Sequence, residues 1–236
     1  ENEGPLSKYF DKKYEKDLYF GEKSWEKAEV HLLKEVNQNI IKKNKNIEII
    51  NKILKEENPE YIMVAFDKGK NFRQDLYKEY KDGRSETPEE LKMQFPIAKE
   101  ICSLLGIKYI ECDNYEADDI IGTFARMADE DKLYNATIIS SDKDLLQLIT
   151  DEVTVKLLKQ KDYIFMDEKT FKEQYGINPI KMIDLKALMG DPSDNIPGVK
   201  GIGEKTALNL LQEYDSLDNI YQNIEKTILF LLSTNI

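Results

Sequence analysis

The spacing of hydrophobic positions along this 236-residue chain changes several times, and each spacing predicts a different element. Short apolar runs predict buried strands over Tyr61–Phe66, Ile107–Ile110, Ala136–Ser140 and Val153–Leu158. Apolar residues at helical spacing predict helices over residues 25–56, 88–105 and 116–128, the second with Pro88 at its first helical position and Gly106 after its end. Strands that alternate with helices predict an α/β fold with a mainly parallel central sheet flanked by helices.

The same patterns predict how the chain is divided. Residues 1–24 show no clear period and are expected to form an irregular N-terminal arm, followed by an α/β core over residues 25–175 with an arch region at about 70–90. Beyond about residue 168 the pattern is helical and rich in turns. It predicts a helical region over residues 176–225 and a C-terminal tail over residues 226–236.

Composition limits the chemistry that the chain can carry. Lys and Arg total 34 against 45 Asp and Glu, which gives a net charge of −11, so a nucleic-acid partner would need local basic patches or bound metal ions. A single histidine, His31, and two cysteines without paired spacing argue against a His-based triad or a zinc site. Any metal would be held by oxygen ligands, which suit Mg²⁺ or Mn²⁺. No apolar run is long enough to span a membrane, so no membrane partner is expected.

Acidic residues recur at the ends of predicted elements. They are Asp67 and Asp113 after strands, Glu116, Asp118 and Asp119 at a helix start, Asp142 and Asp144 after the third strand, and Asp191 and Asp194 in a turn. Each one alone has an ordinary explanation as a helix-start or turn acid. Because parallel strands end at one sheet edge, several of these carboxylates are expected to meet there and repel one another. Divalent ions remove that repulsion, and two such ions can clamp a phosphodiester.

The acidic segments carry a family resemblance. Val64–Asp67, Tyr115–Asp119, Ser141–Asp144 and Gly190–Asn195 resemble, in order, the metal motifs of the 5′ nuclease family, which includes flap endonucleases. The similarity runs from about residue 47 to about 224 and is closest to the 5′–3′ exonuclease domain of bacterial-type DNA polymerase I. It implies a PIN-like nuclease fold and a structure-specific 5′–3′ exonuclease or flap endonuclease that hydrolyses DNA with two Mg²⁺ or Mn²⁺ ions.

The resemblance also implies a role for each acid. Asp67, Glu116, Asp118 and Asp119 resemble ligands of the first, catalytic metal site, and Asp142 resembles a ligand between the two sites. Asp144, Asp191 and Asp194 resemble ligands of the second site, some of them acting through water.

A glycine-rich turn over Gly198–Ala207 leads into a predicted helix. It is not a P-loop, because Glu204 separates the last glycine from Lys205. Its glycines would let a DNA backbone approach the free N–H groups of the helix start. The turn resembles the helix-three-turn-helix of 5′ nucleases, which implies that it grips duplex DNA and that its carbonyls hold K⁺. The DNA-binding candidates in this turn are Gly198, Lys200, Gly201, Gly203, Lys205 and Thr206.

Basic and aromatic residues alternate over Lys70–Arg84, a pattern that suits phosphate contact with base stacking. The alternative is an ordinary amphipathic helix facing solvent. The segment Tyr80–Arg84 resembles the family's arch, which implies that Lys81 and Arg84 act catalytically by holding the scissile phosphate and stabilising charge. The DNA-binding candidates in this segment are Phe72, Arg73, Tyr80, Lys81 and Arg84.

One departure from the family keeps two alternatives open. The family begins with a strand that ends in Asp-Gly, and no such strand is found before residue 25, where Asp11 and Asp17 lack an apolar strand context. Because the chain begins with Glu1 rather than Met, we expect that upstream residues have been removed; otherwise the first metal site is damaged. The first alternative is a catalytically impaired DNA-junction-binding protein. The second is a PIN-type ribonuclease, and the glycine-rich turn argues against this second alternative.

The resemblance further implies a biological setting in DNA replication and repair. The expected partners are DNA with a flap, 5′ overhang or junction, and an RNA primer in a hybrid, bound by a monomer. The expected location is a DNA-containing compartment inside the cell. Heavy use of Lys, Asn and Ile with only three arginines indicates AT-rich coding, which would fit an organelle such as an apicoplast.

Overall fold

The structure is a computed structural model that describes residues 52–159 and 162–233. The chain forms two compact units. The N-terminal unit comprises the described residues up to Lys70 together with Ser85–Ile120, and the C-terminal unit comprises Asn71–Arg84 and the residues from Ile121 onward. The predicted arm and most of the helix predicted over residues 25–56 lie outside the described residues, although residues 52–57 are helical. The predicted domain boundaries stay a prediction.

Strands and helices alternate along the described chain. In chain order they are β1 (Met63–Ala65), α1 (Arg73–Leu76), α2 (Glu89–Lys92), α3 (Gln94–Leu104), β2 (Lys108–Ile110), α4 (Ala117–Asp131), β3 (Ala136–Ser140), β4 (Val153–Lys159), β5 (Asp162–Met166), α5 (Glu168–Tyr175), α6 (Met182–Met189), β6 (Gly190–Asp191), β7 (Ile196–Pro197), α7 (Glu204–Tyr214), α8 (Leu217–Gln222) and α9 (Ile224–Ser233). Two 3-10 helices, Lys143–Leu148 and Pro179–Lys181, precede β4 and α6. The predicted α/β class is confirmed.

Among its described residues, the N-terminal unit contains one parallel strand pair, β1 with β2. Its buried core comes from the end of α3 and the approach to β2, namely Ile101, Cys102, Leu105 and Ile107. The single helix predicted over residues 88–105 is instead two helices that meet at Met93, because Pro96 has no N–H to donate to the preceding turn. Pro88 is the N-cap of α2 rather than its first helical residue.

The C-terminal unit contains a three-stranded sheet in the order β3-β4-β5. The β3 and β4 strands are parallel and β5 is antiparallel to β4, with Val155 opposite Met166. Alternate residues of β4 are buried, which gives this central strand its apolar face. The strand β5 was not predicted, because most of its side chains are exposed or half-buried and its apolar run is short.

Helices α5 to α8 cover the core of the C-terminal unit, as the helical pattern after residue 168 predicts. Asp167 caps α5 by accepting a hydrogen bond from the N–H of Thr170, and Gly176 ends that helix in the left-handed conformation. Phe171, Leu210 and Leu211 lie at the centre of the core. Within the described ranges, no helix combines the length and apolar character needed to cross a membrane.

Candidate active site

The first group of predicted ligands lies in the N-terminal unit, where α4 begins. The Oδ1 atom of Asp67 accepts a hydrogen bond from the backbone N–H of Ala117 at 2.7 Å. The Oδ2 atom of Asp119 accepts one from the backbone N–H of Glu116 at 2.8 Å. N–H groups at a helix start lack partners within the helix, so they attract both carboxylates to one place. The structure therefore brings Asp67 beside the Glu116–Asp119 segment.

Parallel strand pairing explains why Asp67 reaches this helix start. Ala65 pairs with Ile110 at the ends of β1 and β2, and the N–H of Phe66 extends the pairing by donating to the Ile110 carbonyl at 2.9 Å. The two strands thus end at the same level, and the chain after each strand leaves at the same edge. Asp67 follows one strand directly, and the loop after the other strand leads into α4.

The acids around this edge differ in exposure. Glu116 is only 8% exposed, and Asp118 and Asp119 are half-buried. Asp113, which follows β2, is exposed and forms an ion pair with Lys68, with 3.0 Å between its Oδ1 and the lysine Nζ. Asp113 therefore lies in an exposed ion pair, whereas Glu116, Asp118 and Asp119 are less exposed.

The second group of predicted ligands lies in the C-terminal unit, and Asp142 and Asp144 form its first part. Asp142 caps the 3-10 helix that follows β3 by accepting a hydrogen bond from the N–H of Asp144 at 2.8 Å. The Oδ1 atom of Asp144 lies 2.7 Å from Nζ of Lys186 on α6. Burial raises the pKa of Asp144 above its ordinary value, although the lysine opposes that shift.

Asp191, in β6, is an anion that several hydrogen-bond donors stabilise. Its Oδ1 accepts hydrogen bonds from the backbone N–H and the hydroxyl of Ser193, at 2.9 and 2.6 Å. Its Oδ2 accepts one from Lys186 at 2.9 Å. Burial opposes ionisation, but these donors together hold the pKa of Asp191 at about 2. Lys186 thus contacts two acids whose pKa values shift in opposite directions, because only Asp191 also has the donors of Ser193.

Asp194 is held by the segment that precedes Ser85. The guanidinium of Arg84 pairs with Oδ1 of Asp194, and the hydroxyl of Tyr80 donates to its Oδ2 at 3.1 Å. The Nε of Arg84 also donates to the Ser193 carbonyl at 2.9 Å, and the N–H of Lys81 donates to the Asp194 carbonyl at 2.9 Å. Arg84 therefore contacts a predicted metal ligand in this structure, a contact that the sequence did not predict.

The predicted arch segment is mostly turns, and α1 is only four residues long. Phe72 is exposed, and the Arg73 guanidinium lies 4.7 Å from the centre of its ring. Tyr80 is only 7% exposed, and the Lys81 ammonium lies 5.0 Å from the centre of its ring. Phe72 is thus partly accessible to solvent beside Arg73, whereas Tyr80 packs into the protein. Their DNA-binding roles stay a prediction.

The glycine-rich turn joins β7 to α7 and presents most of its residues to solvent. Lys200, Gly201, Gly203 and Lys205 are exposed, whereas Thr206 is buried. Gly203 is the N-cap of α7 and supplies no side-chain hydrogen bond to the first turn. The first N–H groups of that turn therefore receive no acceptor from an N-cap side chain, and a phosphate could accept from them.

The predicted ligands thus fall into two groups, one in each compact unit. Asp67, Glu116, Asp118 and Asp119 belong to the N-terminal unit, and Asp142, Asp144, Asp191 and Asp194 belong to the C-terminal unit. In the described part of the chain, no three Asp, Glu, His or Cys side chains are placed to hold a metal ion. Protein donors satisfy many of these carboxylates instead, and the ligand roles stay a prediction.

Lys186 is the residue that sequence reasoning missed. It is the only basic residue within α6, whose other residues are mostly apolar. A lone cation in a mostly apolar helix that ends two residues before Asp191 is a usable signal, because such a charge needs a nearby anion. Its second partner, Asp144, could not be inferred, since it lies 42 residues earlier in the chain.

Comparisons with known proteins agree with this architecture. The sequence profile of the 5′–3′ exonuclease N-terminal resolvase-like domain matches residues 23–176, and that of the 5′–3′ exonuclease C-terminal SAM fold matches residues 177–232. DNA polymerase I of Bacillus subtilis is 46% identical over 181 residues, which is 75% of this chain and 20% of that protein. The 5′–3′ exonuclease of Bacillus subtilis is 46% identical over 169 residues, 70% of this chain and 56% of that protein.

Solved structures show the same fold. The T5 D15 protein co-crystallized with metal ions has a TM-score of 0.62 at 28% identity, with 74% of this chain and 68% of that chain covered. The catalytic core of Rad2 in complex with DNA substrate has a TM-score of 0.52 at 23% identity, with 88% and 68% covered, and shows likeness of fold alone. The chain spans about a fifth of the DNA polymerase I sequences and about half of the exonuclease that it matches.

Proposed function

The chain belongs to the 5′–3′ exonuclease family, and on that premise we propose that it hydrolyses phosphodiester bonds at DNA flaps and 5′ ends with divalent metal ions. The observation that carries the proposal is the meeting of Asp67 and Asp119 at the start of α4, beside the nearly buried Glu116. Acids from distant parts of the sequence gather there, which a purely local helix cap would not require.

The residues present fit hard divalent cations. All the candidate ligands are carboxylates, whose oxygen atoms suit Mg²⁺ or Mn²⁺. A protein cation, Lys186, already lies between two of them, which shows that this part of the molecule accommodates positive charge. Asp67, Glu116, Asp118 and Asp119 would hold one ion and Asp144, Asp191 and Asp194 a second, with Asp142 as the ligand between the two sites. When bound, such ions activate the attacking water and stabilise the leaving oxygen.

The chain's own residues would position the DNA. The exposed turn before α7, with Lys200, Gly201, Gly203 and Lys205, would bind the duplex backbone through N–H groups and lysine charges. Its carbonyls are the proposed K⁺ ligands. Lys81 and Arg84 would hold the scissile phosphate, which requires Arg84 to exchange Asp194 for a phosphate oxygen.

The biological setting belongs to the same proposal. Two solved relatives are complexes with DNA, the T5 D15 flap endonuclease and the Rad2 core. We infer that this chain acts as a monomer on flaps, 5′ overhangs or junctions, including RNA primers in hybrids, during replication and repair. The expected organelle location rests on amino-acid usage alone.

A pair of aspartate variants tests the proposal. Asp67→Asn removes a ligand charge at the α4 start and should lower flap cleavage in Mg²⁺ by at least about 100-fold. The matched control is Asp113→Asn, which removes an exposed acid that follows the neighbouring strand and contacts Lys68. It should leave the rate within about twofold of the parent chain. Rates are measured with a 5′-labelled flap substrate under single-turnover conditions.

Equal activity of Asp67→Asn and the parent chain would contradict the proposal. An impaired DNA-junction-binding protein is the second candidate. That candidate predicts a gel shift with flap DNA in Ca²⁺ and no cleavage in Mg²⁺ or Mn²⁺. A PIN-type ribonuclease would instead cleave single-stranded RNA faster than flap DNA.

A further inference from the structure

One lysine of the C-terminal unit bridges two of the proposed second-site ligands. The Nζ of Lys186 lies 2.7 Å from Oδ1 of Asp144 and 2.9 Å from Oδ2 of Asp191. These acids come from different elements, the 3-10 helix after β3 and the strand β6. The ammonium is therefore the shared partner of two carboxylates that would otherwise repel each other.

The position of Lys186 is set by the packing of α6. Its neighbours Leu185 and Leu188 are 2% and 3% exposed, so the helix is anchored in the core. The side chain of Lys186 is itself about one-third exposed, which leaves its ammonium able to move toward solvent. A lysine whose backbone is fixed and whose ammonium is mobile can contact both acids and can also move away from them.

We propose that Lys186 is a positioning residue that holds Asp144 and Asp191 before the second divalent ion binds and competes with that ion for their oxygens. This inference rests on the proposed function, which assigns both acids to the second site. An ammonium and a divalent cation are attracted to the same carboxylates and repel each other, so close contact by one weakens close contact by the other. Lys186 thus makes the second ion bind more weakly than the acids alone would allow.

The charge balance gives the direction of the expected effect. With Lys186 present, the two acids and the ammonium sum to one negative charge; with a neutral residue they sum to two. Lys186→Met keeps much of the stem volume and removes the charge. It should tighten the weaker Mn²⁺ site by about tenfold or more. A lysine needed only for packing would not tighten metal binding when it is replaced.

The experiment titrates Mn²⁺ into the full chain and follows free Mn²⁺ by electron paramagnetic resonance. Lys186→Met is compared with Lys186→Arg, which keeps the charge and should bind Mn²⁺ as the parent chain does. The matched control is Lys172→Met, which removes an exposed lysine that pairs with Glu168 on α5. Lys172→Met should change the Mn²⁺ affinity of neither site. Unchanged or weakened binding by Lys186→Met, while the parent chain binds two ions, would overturn the inference.

A measurement on the unmodified chain covers the case in which Lys186→Met does not fold. Acetylation of individual lysines is followed by mass spectrometry as Mn²⁺ is added. Lys186 should react slowly without metal and at least about threefold faster at saturating Mn²⁺. Half of this change should occur at the Mn²⁺ concentration that half-fills the weaker site, and the reactivity of Lys172 should not change. Constant Lys186 reactivity at saturating Mn²⁺ would overturn the inference. Absence of any Mn²⁺ binding by the parent chain would overturn the proposed function itself.

Discussion

At the residue scale, the acids of the C-terminal unit show how neighbours decide the charge of a carboxylate. Asp191 accepts three hydrogen bonds from Ser193 and Lys186, and its pKa falls to about 2. Asp144 shares the same lysine, yet burial raises its pKa. An anion with several donors stabilises the fold, whereas a desolvated anion with fewer donors costs stability until a cation compensates it.

The lowered pKa of Asp191 predicts a pH-dependent stability. Because the folded-state pKa is about 2 and the ordinary value is 3.8, ionised Asp191 stabilises the fold above pH 4, and this stabilisation is lost as the pH falls toward 2. Asp191→Asn should therefore lower the free energy of unfolding by about 2 kcal/mol above pH 5 and by about half as much near pH 3. Urea unfolding in chelator at both pH values measures this difference. The same loss at both pH values would contradict the prediction.

The residue types at the candidate site could be predicted from sequence, whereas most of their contacts could not. Asp67, Asp142 and Asp191 were identified because acids follow apolar runs or stand in a turn motif. Arg84 and Asp194 are 110 positions apart in the sequence, so local sequence patterns could not predict that they pair. Charge partners across elements depend on packing, which determines the atoms that finally meet.

At the element scale, the short hairpin of β6 and β7 determines where Asp191 stands. Asp191 pairs with Ile196, and Gly190 pairs with Pro197, so the acid is held in a two-residue ladder directly after α6. A Cβ on Gly198 would lie 2.2 Å from the Met189 carbonyl carbon and 2.4 Å from the Gly190 nitrogen. Glycine is needed there because backbone atoms, which cannot move aside as a side chain can, occupy the space.

This close approach predicts a large stability difference between two glycine variants. Gly198→Ala should lower the free energy of unfolding by about 3 kcal/mol or more, since its Cβ would meet backbone. Gly203→Ala is the matched control in the same turn, because its Cβ would find no atom within 4 Å. It should cost less than about 1 kcal/mol. Denaturant unfolding of both variants measures the difference, and similar losses would contradict the structural explanation.

The boundaries of a helix or strand could be predicted from sequence only where the local pattern of apolar and polar residues alone sets them. The strand over Ala136–Ser140 was predicted residue for residue, because its apolar run is bounded by polar residues on both sides. The strand β5 escaped prediction, since its side chains are largely exposed and its pairing partner β4 supplies the stabilising hydrogen bonds. The break at Met93 depends on Pro96, because a proline removes a hydrogen bond to the turn that precedes it. The helix is therefore interrupted before the proline itself.

At the scale of the whole molecule, a net charge of −11 has to be reconciled with the proposed DNA substrate. At long range the chain repels a polyanion, so attraction must come from local basic residues and from divalent ions that neutralise the acids. The proposed function in an acidic chain therefore leads us to expect that metal binding and DNA binding support each other.

This coupling predicts how DNA affinity responds to ions. Flap DNA should bind at least about tenfold more tightly in Ca²⁺, which we expect not to support cleavage, than in chelator, because the ions remove repulsion between acids and phosphates. KCl at the same ionic strength should weaken binding instead, which separates specific neutralisation from screening. Fluorescence anisotropy with labelled flap DNA measures both effects. Equal affinity in Ca²⁺ and in chelator would contradict the coupling.

The sequence by itself determined the α/β class, the order of its main elements and the family, because periodicity and short motifs are local properties of the chain. It also determined which acids were candidate ligands. Only the tertiary structure decided that Asp67 meets the start of α4, that Lys186 joins Asp144 to Asp191 and that Arg84 holds Asp194. Those contacts depend on distances between separately folded elements, and packing sets such distances to within an ångström whereas sequence spacing does not.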